Sequence, residues 1–524
     1  MMNQHKKLRV GIDLGTTNSC CYYEYRGKAE CLDYSDGRRI LPSYVEYRDD
    51  GSIVVGSVAK RNIKNQNPHV IHNTKRLIGK EFNCPEVQAM IHSCGLPVEN
   101  ICGKPVFNLQ DGKTITPGMV ASSIVKYLLD RVEDRCGMKA TDVCVTIPAH
   151  FDNNQRTATL QAIINAGIPE DSIQITNEPT AAAICYGLDN NADNTRILVY
   201  DLGGGTFDVS ILSIRDGEFQ IDTYEGDPNL GGADFDEVLL KWIEEKYKDR
   251  YNDDIIPEKL PEHIKLRHRR RLLEAAEKCK ESLSSSIEEN YFEAQFTPKY
   301  KPSTADDEDE YRELVTLSDL NTLLEDYINR TLNTVKKAMS NLNLTERDID
   351  HVVLVGGSSR LKLVHQKLEE MFGSQKLKES VNPDECVAKG ACLYLMNNSI
   401  IKERIAYALG KTLIHDDVMC VIPRLSELPA TYSVLTYTSH DYQKEVESTI
   451  CETQQEENGN VIPFGPTCVK LAPYNFTGFR PAKAGEVKFR TTFTIKTSGI
   501  VYVTVVETKT KKVLLQDERI QYKE

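Results

Sequence analysis

Two short segments carry an aspartate, a glycine-containing turn and threonine hydroxyls in the same order. Val10-Gly11-Ile12-Asp13-Leu14-Gly15-Thr16-Thr17 is echoed by Val199-Tyr200-Asp201-Leu202-Gly203-Gly204-Gly205-Thr206. In each, an apolar run reads as a buried strand ending in the aspartate. A carboxylate there is costly unless a cation or hydrogen-bond donors meet it. Neighbouring glycines let backbone N–H groups approach an anion closely, and the threonines add donors. Two such turns facing each other would clamp a polyphosphate. Asp13 and Asp201 would then lie near Mg²⁺, through waters, because Mg²⁺ keeps much of its hydration. Either turn alone also reads as a tight hairpin; the pair, with Thr on both, favours phosphate binding.

A third glycine turn follows a strand. Val352 to Val355 leads into Gly356-Gly357-Ser358-Ser359-Arg360, with a helix expected from about Leu361. A strand, a Gly-Gly turn and a helix start suit a nucleotide's base, ribose or phosphate, and also suit ordinary packing of a helix on a strand. The chain has no Walker motif and no dinucleotide fingerprint followed by a correctly spaced acid, which counts against P-loop and Rossmann readings.

The elements that must hold these turns alternate between strand and helix from Arg9 to Ser399. Val10 to Asp13, Val143 to Ile147, Ile197 to Asp201 and Val352 to Val355 read as buried strands. A helix opens at Thr116-Pro117, with Val120, Ile124, Leu128 and Val132 at helical spacing. Others run from about Pro261 to Ser285 and from Ser318 to about Asn341. This alternation predicts an α/β architecture, and the repeat predicts a duplicated unit whose halves face each other. From about Ile405 to Glu524 the pattern changes. Val487, Phe489, Phe493 and Ile495 alternate with polar residues, Ser498-Gly499 turns the chain, and Ile500 to Val506 returns as a strand. The boundary is expected between Asn397 and Ile405, with the two parts as close neighbours because the connection is not rich in Gly or Ser.

Length and composition bound the rest. The 524 residues are 40% hydrophobic and 27% charged, ordinary for a folded soluble chain, and length alone allows about three to five domains or subdomains. The formal net charge of −13 argues against nucleic acid or an anionic membrane as the primary partner. No apolar run is long enough to span a membrane. Met1 to Arg9 lacks an apolar signal region. Fifteen scattered cysteines form no disulfide framework, and Cys20-Cys21 are neighbours that do not easily pair. A cytoplasmic location with free thiols is expected.

The residues closely resemble the 70-kilodalton heat-shock chaperone family. The resemblance rests on Asp13 to Ser19, Lys75-Arg76-Leu77-Ile78-Gly79, Asn177-Glu178-Pro179-Thr180-Ala181-Ala182-Ala183, Asp201 to Asp208 and Gly356 to Arg360, in the family's order and spacing. It implies an actin-like two-lobed ATPase domain of duplicated RNase H-like units over 1–398, a short linker over 399–404, and an antiparallel β-sandwich domain over 405–524 resembling the family's peptide-binding subdomain. Lys75 resembles the lysine that orients the attacking water and stabilises the γ-phosphate, and Glu178 the acid that helps place that water and Mg²⁺. Asp13 and Asp201 resemble the metal-side carboxylates, and Asp208 the one near potassium. Thr16, Thr17, Gly204, Gly205 and Thr206 resemble the phosphate cradle, and Gly15, Asn18 and Gly203 beside them belong to the implied ATP-binding set. Gly231 and Gly232 resemble the loop flanking the nucleotide. Glu277, Lys280 and Ser284 resemble the adenosine-site helix positions, with Glu281 among them, and Arg360 resembles the adenine-stacking arginine; Gly356, Gly357, Ser358 and Asp384 complete the ATP-binding set that the resemblance implies. Such a set suffices for phosphoryl transfer, which needs positioning and charge neutralisation more than covalent chemistry.

The implied function is an ATP-dependent chaperone that hydrolyses ATP to ADP with Mg²⁺ and K⁺ and binds unfolded or nascent segments, assisted by a J-domain co-chaperone and a nucleotide-exchange factor. The chain departs from the family in several places. Glu281 stands where a second adenine-stacking arginine is usual, and a carboxylate cannot supply that stacking. His150 replaces a tyrosine after Pro148-Ala149, read here as a tolerated aromatic exchange. Lys402, Glu403 and Arg404 replace an acidic-leucine linker, Glu452 to Asn460 reads as an acidic polar insert, and no helical lid follows the last strands. These departures motivate the alternative, an ATP-binding regulatory subunit with little turnover. A sugar kinase on the same fold fits the motifs less well. Cys84, His92, Cys94 and Cys102 fit no common zinc spacing. Lys265 to Arg271 reads as a solvated basic helix face, and Asp306 to Glu310 as an exposed loop.

Overall fold

The computed structural model describes residues 7–521, apart from 35–36, 63–68, 95–97, 110–111, 191–193, 286, 296–309, 379–381, 398–400, 413–416, 454–460 and 464–467. The start of the chain, Asp306 to Asp309, Ser399, Ile400 and most of the expected insert lie outside the described residues.

Two sheets are built alike. In the first, Arg9–Asp13 pairs in parallel with Asp142–Ile147, which pairs in parallel with Ile173–Asn177; on its other side it forms an antiparallel hairpin with Asn18–Tyr25. In the second, Thr195–Leu202 pairs in parallel with His351–Val355 and antiparallel with Phe207–Arg215. Each aspartate strand is therefore the centre of its sheet, flanked by a parallel strand and its own hairpin return. Val10, Ile12, Ile197, Leu198 and Val199 are fully buried, as expected for central strands covered on both faces.

Helices fill the space around these sheets. Pro117–Cys136 starts where the sequence predicts: the Thr116 side chain accepts from Met119 N, Pro117 occupies the first turn, and Gly137 ends the helix at φ 66°. Leu317–Asn341 is opened by Thr316 and Asp319 in a reciprocal cap. The helices Glu178–Asn190 and Cys386–Met396 pack against one another. Glycine allows the approach: a Cβ on Gly390 would lie 1.8 Å from Ala181 O, and one on Gly11 would lie 2.2 Å from Cys392 N.

The C-terminal part holds a five-stranded sheet centred on Ala408–Thr412 and a four-stranded sheet of Ala430–Tyr437, Lys488–Ile495, Val501–Glu507 and Val513–Arg519. Leu409, Val421, Ile450, Phe489, Phe493, Val503 and Val505 join in one buried apolar cluster.

This part packs on the first sheet's surroundings. Ile500 and Tyr502 enter the first core. Asn153, the first residue of the helix Asn153–Asn165, makes three cross-contacts: its N–H donates to Glu452 Oε2 at 2.7 Å, its Nδ2 to Ile520 O at 2.8 Å, and its Oδ1 accepts from Val501 N at 2.9 Å. Arg156, buried beside it, reaches Ser498 O at 3.4 Å, so the Ser498-Gly499 turn seats on the α/β part. Glu452 is thus not insert; it lies in the strand Ile450–Thr453 and is buried. Lys402, Glu403 and Arg404 also differ from a plain connector. Ile401–Lys402 adds in parallel to Glu218–Asp227 at the edge of the second sheet. Glu403 is buried and accepts from Thr176 at 2.9 Å and from Asn177 and Tyr224 at 3.0 Å. The basic stretch is more than a solvated face: Arg269 pairs with Glu237 at 2.5 Å and Arg270 donates to Val70 O at 2.9 Å. Among the described residues no helix is long and apolar enough to cross a membrane.

Candidate functional site

The repeated turns meet face to face. Asp13 ends its strand opposite Cys20, and Asp201 stands opposite Asp208. The turns approach so closely that side chains are excluded: a Cβ on Gly204 would lie 2.1 Å from Thr17 Oγ1, and one on Gly205 would lie 3.0 Å from Thr16 Oγ1. Gly356, at φ +79°, brings the third turn against Leu202 O, where a Cβ would lie at 2.5 Å. Between them is a cleft of about 370 Å³. Asp13, Gly15, Thr16, Thr17, Asn18, Lys75, Glu178, Asp201, Gly203 to Thr206, Gly232, Glu277, Lys280, Glu281, Ser284, Gly356 to Ser358, Arg360 and Asp384 all line it. Gly231 and Asp208 do not. Gly231 instead caps the helix Gly232–Tyr251 and packs behind the cradle, where a Cβ would lie 2.6 Å from Gly205 N.

Local structure positions each charge. Lys75 sits in the short 3₁₀ turn Thr74–Arg76, and its Nζ pairs with Glu178 Oε1. Glu178 opens a helix directly after the strand Ile173–Asn177, so its carboxyl is placed by the sheet. Lys280 reaches Asp236 at 2.7 Å and Gly232 O at 2.9 Å, tying the helix Glu262–Ser284 to the preceding helix Gly232–Tyr251. Glu277 holds Lys60 at 3.2 Å. Arg360 is held by Asp384 at 2.6 Å and Asn382 at 3.1 Å. The third turn is a 3₁₀ segment, Gly357–Arg360, and the α-helix begins only at Lys362; side chains and backbone of the turn, not a helix end, face the cleft.

The cleft is short of positive charge. Burial raises the carboxyls of Asp13 and Asp201 above their ordinary range, and lifts Glu178 to about 7 despite Lys75. Carboxyls forced upward by burial fit a site that a cation completes. Among the described residues, no three His, Cys, Asp or Glu side chains converge as direct metal ligands. Asp13 and Asp201, both at the cleft, suit Mg²⁺ that keeps its waters.

The resemblance puts a potassium ion beside Asp208, whose Oδ1 is engaged by His150 Nδ1 at 2.5 Å, with both side chains buried. His150 is accordingly a hydrogen-bond partner of Asp208, not a neutral exchange for tyrosine. Its backbone carbonyl also accepts from Tyr407 at 2.9 Å.

Some residues here escaped the sequence reading. Arg76 Nη2 donates to Gly205 O at 2.7 Å and Asp234 Oδ2 at 2.6 Å, fastening one half of the cleft to the other. Arg76 stands inside the Lys75 motif, which was the available signal. Asp236, which the resemblance already sets in the loop after Gly231-Gly232, also lines the cleft, its carboxyl lifted to about 7 by burial. Ile40 and Cys20 line it with no signal in their local sequence.

Comparison with known proteins agrees with this geometry. The family described as Hsp70 protein matches residues 9–524. Chaperone protein dnaK of Cyanidioschyzon merolae is 33% identical over 509 residues, covering 96% of this chain and 80% of that one. Chaperone protein DnaK of Deinococcus proteolyticus is 33% identical over 511 residues, covering 96% of this chain and 77% of that one. With motifs, cleft and whole-length similarity in agreement, the chain belongs to the Hsp70 family of chaperones.

Proposed function

We propose that this protein is an ATP-dependent chaperone with an actin-like ATPase domain over 1–398, a linker over 399–404 and a β-sandwich domain over 405–524 that captures unfolded polypeptide segments. The observation that carries the reading is the facing of the two threonine-glycine turns with the Lys75–Glu178 pair beside them. ATP would lie with its phosphates between Thr16-Thr17 and Gly204-Gly205, and its base between Arg360 and the helix bearing Glu277 and Glu281. When bound beside Asp13 and Asp201, Mg²⁺ would neutralise phosphate charge. Lys75 Nζ would orient the attacking water and meet the γ-phosphate, while Glu178 fixes the lysine. Thr206 would donate to the transferring group. Each contribution is positional or electrostatic, as phosphoryl transfer requires. Potassium would stand beside Asp208, whose Oδ1 His150 already holds.

Coupling would run through the Ile401–Lys402 strand, the buried Glu403 and the Asn153–Glu452 contact. ATP would favour the packed arrangement and fast peptide exchange; hydrolysis would release the β-sandwich and slow it. A J-domain co-chaperone and an exchange factor would drive the cycle, in a cytoplasmic setting. The intact Lys75–Glu178 pair favours turnover over a non-hydrolysing regulatory role. The test is binding of a labelled unfolded peptide in ATP and in ADP. Faster exchange in ATP supports the reading, and identical kinetics in both nucleotides contradict it.

A further inference from the structure

A second cavity, of about 610 Å³, opens behind the phosphate cradle. The two cavities share one wall: Thr16, Lys75 and Thr206 line both. Beyond that wall the lining carries four lysine and arginine side chains, Arg76, Lys80, Lys241 and Arg269, against three carboxylates. The carboxylates are each already engaged: Asp234 with Arg76 at 2.6 Å, Glu237 with Arg269 at 2.5 Å, and Asp208 with His150 at 2.5 Å. Lys241, also at this cavity, makes no ion pair within 4 Å among the described residues, and its charge acts at longer range on Glu237 and Glu244.

The cations are graded from inside to outside. Side-chain exposure rises from 11% at Lys75 to 18% at Arg76 and 22% at Arg269, and Lys241 is exposed. Arg76 and Arg269 each keep a buried Nε with no hydrogen-bond partner among the described residues. A buried donor left unpaired costs free energy that an arriving anion would recover. Two guanidinium donors without partners among the described residues, a small excess of positive charge and exposure that rises away from the cradle describe a conduit for a small anion.

We propose that this cavity is the route by which inorganic phosphate leaves after ATP cleavage, with Arg76, Arg269 and Lys241 as successive transient anion contacts. The inference rests on the ATPase reading for the source of the phosphate. It separates phosphate departure from ADP departure: the nucleotide would leave by the cleft it entered, and the phosphate by the far side. The Arg76–Asp234 pair would have to yield as the anion passes.

The test follows [³²P]phosphate binding to, and leaving, the full-length ADP-loaded protein. Val238→Trp fills part of the cavity without changing charge. It should slow association and dissociation alike, about threefold or more, and leave the equilibrium affinity unchanged, as an obstruction in a path does. Lys241→Glu should slow association by a similar factor because the approaching anion now meets a like charge, and the deficit should shrink at high salt. Unchanged phosphate kinetics in both variants would overturn the exit route, as would failure of the wild type to bind phosphate at all. Single-turnover ATP cleavage, measured alongside, keeps the two readings apart. Intact cleavage with unchanged phosphate kinetics refutes the route alone. Altered phosphate kinetics without cleavage supports the conduit and refutes the ATPase.

Discussion

Replacing Glu452 by Gln should abolish a pH dependence in how the C-terminal sheets hold the α/β part. Glu452 accepts the Asn153 N–H at 2.7 Å and is buried. Burial lifts its carboxyl from an ordinary 4.5 to about 8, with Asp152 adding to the rise and Arg156 opposing it. A carboxyl raised in the packed state binds its proton more tightly there than when separated. Its contribution is therefore fully present below about pH 4.5 and is lost as pH rises through about 8. Inside that window each pH unit changes the packing constant by up to about tenfold, so the range from about pH 5.5 to 7.5 spans up to about a hundredfold. Hydrogen–deuterium exchange of the segment carrying Asn153 to Gln155, normalised to intrinsic exchange at each pH, reads this directly. Wild-type protection should fall steeply across the range, while Glu452→Gln, which keeps an acceptor but cannot ionise, should stay flat. Parallel profiles would refute the reasoning and move the pH dependence, if any, to Asp152.

Two further outcomes follow from the same geometry. Gly390→Ala drives a methyl into Ala181 O and should cost about 3 kcal/mol, visible as a lower thermal midpoint and a weakened nucleotide site, since the opposing helix begins with Glu178; an unchanged midpoint would mean the helices separate freely. Glu281→Arg puts a second cation beside the base position and should lower the Kd for ATP about fivefold, corresponding to about 1 kcal/mol of cation–π stacking; an unchanged or weaker affinity in nucleotide titration would remove Glu281 from the base site.

The core of the site was legible because its chemistry is local. Asp13 with Thr16 and Thr17, and Asp201 with Gly204 and Gly205, each lie within one hairpin. The repetition announced that two such hairpins would oppose, and their central place in two similar sheets follows from their fully buried apolar runs. Lys75 and Glu178 are distant in the chain yet belong to recognisable motifs. What escaped is long-range and polar. Asn153 meets Glu452 across 299 positions, and nothing in either neighbourhood specifies the other; Glu452, read beside Gln454 to Asn460, even looks like part of a solvated insert. His150 fails similarly: nothing in its neighbourhood names Asp208, 58 positions away, as its partner. Glu403 reads as a charge interrupting an apolar linker, yet Thr176, Asn177 and Tyr224, drawn from different sheets, supply the donors that allow its burial. Periodicity reports which residues are apolar on a face. It does not report which buried polar group will find which partner.

The central claim is that the two facing turns and the Lys75–Glu178 pair form a working ATPase. Single-turnover ATP hydrolysis with Mg²⁺, comparing the wild type with Lys75→Ala, tests it most directly. The account predicts slow but measurable cleavage in the wild type, reduced by about 10²–10³-fold in the variant, with ATP still bound. Equal rates in the two proteins, or tight binding without cleavage in either, would contradict it.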